Sequence, residues 1–316
     1  MDRNNHNVKS SIILPEWIIR RIEKIKFNNT SGALKLAVET AKSLILLVDN
    51  YSYSSKYKLI EVIEQTAFEL TMAQPTMAPI FNLTNNIMFD ISKIKNEEKI
   101  KKIIRTNCRK YIYRLNNSIR SIGEKAANLI DNNFTIVVHS YSDTILKTLI
   151  SAKEMNKSFH VICSESRPMN EGLNLAKKLG KKKIKTTLVV DSAIFSFLSR
   201  TDLIFVGADA LSKSGLVNKI GTLGLALAAE KLEIDFYSLC GTDKIFPSNY
   251  QFKLEKLKDP SEITKKFLTN VNIINYYFDL TPLDHLTGII TEFGVKSPNK
   301  IIQYMDSLKI HKSLIN

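Results

Sequence analysis

The chain has 316 residues, 44% of them apolar, with three cysteines and a formal net charge of +14 at pH 7. That length allows one large domain or two of ordinary size, with ample apolar material for a core. It excludes a disulfide framework or a cysteine-built zinc site, since Cys108, Cys163 and Cys240 form no Cys-x-x-Cys pair. The longest apolar runs are far short of a membrane span, and Met1–His6 begins no secretory apolar core. A soluble protein of the reducing cytoplasm is expected. The positive balance suits acidic partners, whether nucleic acid, phosphorylated ligands or an acidic protein surface, or else reflects a lysine-rich proteome.

The first part of the chain reads as helices. Pro15 precedes Trp17, Ile18, Ile19, Ile22 and Ile25, which marks a helix start. Thr30-Ser31-Gly32 reads as the cap of a second helix carrying Ala33, Leu36, Ala37, Ala41 and Leu44. A third helix is predicted over Leu59 to Met72. In a fourth, Ile100, Ile104, Cys108, Tyr111, Leu115, Ile119, Ile122, Ala126 and Leu129 recur at steps of three and four, one apolar stripe along a long helix. Its other faces hold nine Lys or Arg and one acid, Glu124, between residues 99 and 125. A solvated helix face is the preferred reading of that run over a nucleic-acid surface.

Near Asp131-Asn132-Asn133 the composition changes, dividing the chain into a helical domain over 1–131 and a second domain over 132–316. Strands are predicted at Thr135–Val138, Phe159–Cys163, Thr186–Val190, Leu203–Val206 and Ile234–Leu239. Helices fall between them, through Leu146 and Ile150, over Gly172–Leu179, through Phe195 and Leu198, and over Leu223–Lys231. Apolar strands alternating with helices imply an α/β fold with a parallel sheet covered on both faces.

Such a sheet binds ligands at the C-terminal ends of its strands. There the sequence offers His139-Ser140-Tyr141-Ser142, Ser164-Glu165-Ser166-Arg167-Pro168, Asp191-Ser192, Asp209 with Asn218 and Lys219, and Thr242-Asp243-Lys244. Asn218, Lys219 and Gly221 are placed at the start of the helix after Asp209, where N–H groups and a lysine suit a phosphate. The candidate ligand-binding residues are His139, Ser140, Glu165, Arg167, Asp209, Asn218, Lys219 and Lys244. No dinucleotide fingerprint, P-loop or Gly-x-Ser-x-Gly elbow occurs, and neither a cofactor nor a metal is expected.

These motifs, with Asn275–Pro282 and Thr291-Glu292-Phe293-Gly294, resemble the initiation factor 2B alpha/beta/delta family, which also contains sugar-phosphate isomerases. The resemblance covers nearly the whole chain. It implies a helical N-terminal domain on a Rossmann-like C-terminal domain, and a dimer or larger oligomer.

The family's isomerases act on ribose 1,5-bisphosphate or methylthioribose 1-phosphate. They use a cysteine after the strand-one histidine together with the aspartate of Gly-Ala-Asp, moving protons between adjacent carbons. Here Asp209 fills the aspartate position, but Ser140 stands at the cysteine. Gln74 stands at an arginine, and Asn28–Ala33 replaces an Arg-Gly-Ala phosphate loop. If the chain is an isomerase, Asp209 and Ser140 are its catalytic pair. The resemblance favours the other branch, regulatory subunits that hold the alpha subunit of initiation factor 2, with a sugar phosphate or nucleotide as an allosteric ligand of Asp209, Asn218 and Lys219.

Overall fold

In a computed structural model the described residues are 12–28, 32–53, 55–251, 257–266 and 268–315. The predicted cap residues Thr30 and Ser31, with Asn29 of the Asn28–Ala33 segment, lie outside them. Contacts divide the chain into two compact units. The first comprises the described residues to Gln74, Leu83–Ile112 and those from His311 onward; the second comprises Pro75–Asn82 and Tyr113–Ile310.

Helices build the first unit. α1 (Glu16–Lys26) carries Glu16 in its first turn and Lys24 and Lys26 in its last, matching the helix dipole, and buries Ile18, Ile22 and Ile25. It packs against α2 (Ala33–Asn50) and α3 (Lys56–Ala73), which also pack on each other. Ser55 caps α3 by accepting the Lys58 N–H at 3.3 Å, so this helix begins three residues before the predicted start. α4 (Ala78–Ile91) has no counterpart in the sequence reading. α5 (Glu97–Ala127) is the long helix of the apolar stripe, with Ile100, Ile104, Cys108, Tyr111, Leu115, Ile122 and Ala126 buried. The unit division falls within α4 and within α5.

The second unit is built on a seven-stranded sheet. Its strands are β1 (Thr135–His139), β2 (His160–Ser164), β3 (Thr186–Val189), β4 (Leu203–Val206), β7 (Asp235–Leu239), β9 (Gly288–Thr291) and β10 (Gly294–Lys296), in the order β10-β9-β7-β4-β1-β2-β3. All neighbours are parallel except β9 and β10. Alternate residues face opposite sides. Val137, Ile204 and Val206 pack with α8 (Thr222–Lys231) and α9 (Pro298–Ser307). Ile136, Val138 and Phe205 pack with α6 (Asp143–Glu154), α7 (Glu171–Lys181) and the end of α5. The fold is therefore α/β, helices followed by a mostly parallel sheet, as the sequence implies.

One local difference matters for the site. The stretch after Asp209 was expected to be a link into a helix. It forms a hairpin, β5 (Ala210–Ser212) and β6 (Gly215–Lys219), joined by β8 (Phe278–Thr281) into a second, antiparallel sheet. Asn218 and Lys219 thus end a strand, and α8 starts only at Thr222. β8 can lie this close to β6 because Gly215, at φ +141°, has no Cβ; one there would stand 2.4 Å from the Thr281 carbonyl oxygen. Among the described residues no helix is long and apolar enough to cross a membrane.

At the first turn of α7, Gly172 lies against β2. An added Cβ there would sit 1.7 Å from the Ser164 carbonyl oxygen, which is backbone and cannot swing away. Gly172→Ala should therefore destabilise the chain by about 3 kcal/mol or more, an overpacking cost at the high end of its range. Urea unfolding of the variant checks this; a midpoint equal to the parent's would disprove the contact.

Candidate functional site

The site follows from strand order. β1, β2 and β3 extend the sheet one way, and β4, β7 and β9 the other, so the direction reverses between β1 and β4. Ligands of open α/β sheets bind beyond the strand ends at such a reversal. His139 ends β1 there, in register with Val206 of β4.

His139 is buried and fully engaged. Its Nε2 lies 2.8 Å from the Ile220 carbonyl oxygen and its Nδ1 2.6 Å from Ser164 Oγ. A carbonyl only accepts, so Nε2 carries the proton and Nδ1 accepts from the Ser164 hydroxyl. Burial pushes its pKa down, opposed by the Ile220 hydrogen bond and Asp191 and reinforced by Lys219. The neutral ring with both nitrogens committed links three segments and has no nitrogen to spare for proton transfer.

Ser140 follows in a left-handed conformation, φ +67°, which costs a non-glycine residue backbone strain. Its N–H donates to Ser166 Oγ at 2.9 Å, and Ser166, itself at φ +62°, lies with Oγ 3.1 Å from Ser164 Oγ. Asp191 holds this loop, accepting the Ser166 N–H at 2.7 Å and the Arg167 N–H at 2.8 Å on its two oxygens. The strand-three aspartate is thus a cradle for the strand-two loop.

Glu165 and Arg167 do not meet the cluster through an ion pair. The Arg167 guanidinium donates to the Ile263 carbonyl at 2.9 Å. With Asn170, Leu173 and Leu188 the two residues line a groove of about 480 Å³. Asp209 is half-buried where the chain enters the hairpin, its N–H donating to the Val217 carbonyl at 2.9 Å. Lys244 bridges back to the Ala208 carbonyl at 2.6 Å. Asn218 is buried and donates from Nδ2 to Thr222 Oγ1 at 2.9 Å, a bond at the start of α8.

The charge of Lys219 is enclosed. Its side chain is 4% exposed, with Nζ 2.6 Å from Glu171 Oε1. The ring centroids of Tyr277 and Phe278 lie 4.9 and 5.7 Å from Nζ. Deleting one partner of a fully buried pair costs about 3–5 kcal/mol; the exposure of Glu171 reduces that here. Nor are the α8 donors free. Asp279 Oδ2 accepts the Gly221 N–H at 2.7 Å and the Leu223 N–H at 3.1 Å, so a carboxylate of the chain itself occupies the place expected for a phosphate. Asp279 Oδ1 is buried and has no hydrogen-bond partner.

The structure therefore brings His139, Ser140 and Lys219 together with Ser164, Ser166, Asp191 and Glu171. Glu171 and Asp279 escape the sequence reading. Glu171 looks like a first-turn acid favoured by the helix dipole, and Asp279 sits 58 residues from the N–H it caps. Gln74, in the first unit, donates to the Ile25 and Lys26 carbonyls at 2.9 and 3.2 Å, closing the end of α1. All three cysteines are buried. Desolvation pushes the Cys108 and Cys163 thiols up to about 12, and Cys240 upward as well, so none supplies a thiolate near neutral pH. Among the described residues no group of three His, Cys, Asp or Glu could hold a metal ion.

Comparison with known proteins gives a consistent frame. Residues 29–298 match the model of the Initiation factor 2 subunit family. A translation initiation factor eIF-2B subunit 2-like protein of Pyrococcus horikoshii is 32% identical over 92% of this chain and 100% of its own length. A ribose 1,5-bisphosphate isomerase of Archaeoglobus fulgidus is also 32% identical, over 90% of each chain. The crystal structure of the translation initiation factor eIF-2B of P. horikoshii OT3 superposes with a TM-score of 0.79 at 31% identity, covering 92% of this chain and 100% of that one. The fold is shared by the tetrameric eIF2B-beta2-delta2 complex from C. thermophilum, TM-score 0.73 at 18% identity over 92% and 93%.

The Asp279 cap gives the second unit a pH dependence. Burial pushes its carboxyl up to about 6, against the donated N–H bonds of Leu223 and Gly221 that pull it down. An unfolded aspartate titrates near about 3.9. Between these values the folded chain binds more protons than the unfolded one, so this group's contribution to stability is present at low pH and is lost as pH rises through about 6. Asp279→Asn keeps an acceptor for the two N–H groups and removes the titration. Urea midpoints across that interval should fall less in the variant than in the parent; equal falls would contradict the assignment.

Proposed function

This chain belongs to the Initiation factor 2 subunit family, and from that premise we propose that it is an initiation-factor-2B-like regulatory protein of translation initiation. It holds the alpha subunit of initiation factor 2, works as a homodimer or larger oligomer, and takes a sugar phosphate or nucleotide as an effector at its strand ends. His139, Ser140, Glu165, Arg167, Asp209, Asn218, Lys219 and Lys244 are the proposed ligand-binding residues.

The observation that carries the reading is Ser140. Aldose–ketose isomerisation needs a group that exchanges a proton with carbon, and a serine hydroxyl does so only beside a strong base. The adjacent imidazole is no such base, since its nitrogens serve Ser164 and Ile220. No cysteine stands in, because all three are buried with raised pKa values. Lys219, in the same cluster, already carries a counter-charge.

A second reading, an isomerase with a rearranged site using Asp209 and Ser140, is favoured by the retained Asp209 and by equal identity to the A. fulgidus isomerase. Two measurements separate the readings. Purified chain incubated with ribose 1,5-bisphosphate should yield no ribulose product above a blank; robust turnover would reject the regulatory reading. The alpha subunit of initiation factor 2 should be retained by the immobilised chain at micromolar concentrations, and a lack of retention would count against it. Ser140→Cys is expected to gain turnover only if the pocket still presents a substrate correctly to Asp209.

A further inference from the structure

We propose that Glu171 is a built-in counter-anion that occupies the phosphate position of Lys219, so that a phosphorylated ligand reaches this lysine only by displacing the carboxylate. The inference rests on the reading of the strand ends as the ligand site and concerns how that site is controlled.

The geometry restricts Lys219 closely. Its ammonium has three donors and a side chain that is 4% exposed. Tyr277 and Phe278 lie within cation–π range, at 4.9 and 5.7 Å. Glu171 Oε1, at 2.6 Å, is the hydrogen-bonding anion at Nζ. A phosphate oxygen bonding to the same ammonium needs the same short distance and the same charge, so it competes with Glu171 for that place.

Of the two partners, Glu171 is the one able to leave. Its side chain is 31% exposed against 4% for Lys219. It stands in the first turn of α7 and outside every strand, so its side chain can change rotamer with no change in strand register. Only one of its oxygens is used: Oε2 is buried and has no hydrogen-bond partner, so the carboxylate is held from one side. Lys219, by contrast, is anchored in β6, whose register pairs it with Phe278 of β8. The alternative anion position, the start of α8, is closed by Asp279. Glu171 thus sets the anion affinity of the cluster, and a gain of phosphate binding should follow from neutralising it.

Glu171→Gln preserves shape and removes charge. The test uses the full chain, inorganic phosphate, and thermal unfolding at matched ionic strength. With about 10 mM phosphate, the Tm of the variant should rise by about 4 °C or more, while the parent shifts by less than about 1 °C. Direct titration should show phosphate binding at least about tenfold tighter in the variant. Glu171→Gln combined with Lys219→Met should lose the response. If Glu171→Gln fails to fold, Glu171→Asp, which keeps the charge but withdraws it by one methylene, should show a smaller rise in the same direction. Equal phosphate shifts in parent and variant, no shift in either, or a shift that survives loss of Lys219 would each overturn the proposal. None of these readouts involves isomerase turnover or the initiation factor 2 alpha subunit, so this inference and the regulatory reading can fail independently.

Discussion

Burial of both faces of the seven-stranded sheet confines the polar chemistry of the second unit to the ends of its strands. Between Val137, Ile204 and Val206 on one side and Ile136, Val138 and Phe205 on the other there is no space for a charged group without a partner. The strand order reverses between β1 and β4, so the polar residues that follow these two strands gather at one place. His139 is the joint of that gathering, tied to β2 through Ser164 and to the start of α8 through Ile220.

Most charged groups around this joint are spent on the protein itself. Asp191 holds two consecutive N–H groups of the strand-two loop, Asp279 caps α8, Lys244 reaches the Ala208 carbonyl, and Lys219 faces Glu171. A buried charge must be answered, and an internal partner answers it at all times whereas a ligand does so only when bound. Under the regulatory reading proposed above, such a self-satisfied site has no need of unengaged acid and base groups. On the exchange proposed above, a ligand enters by replacing one anion with another, and Glu171 is the half-buried, half-bonded member.

Much of this is legible in the amino-acid sequence. The apolar stripe read from Ile100 to Leu129 became α5, which ends at Ala127, two residues short of Leu129, and Leu203–Val206 became β4 residue for residue, because periodicity and β-branched runs report local burial directly. The substitution at Ser140 was visible too, since it is a matter of residue identity. The hairpin β5–β6 was not. Its strands are three and five residues long and are stabilised by β8, which begins 59 residues after β6 ends. Asn218 and Lys219 therefore looked like helix-start residues when they are strand residues.

By itself the sequence determined the helical first part, the alternation of β1 to β4 and β7 with helices, the polar character of those strand ends, and the family resemblance, all of which depend on residues near one another in the chain. The tertiary structure alone decided which polar group answers which. Glu171 and Lys219 are 48 residues apart, Asp279 and Gly221 58, and Gln74 and Ile25 49. No period or spacing encodes these pairings. They arise because packing the helices and sheets brings distant polar groups out of water together, and desolvation then makes each take the partner within reach.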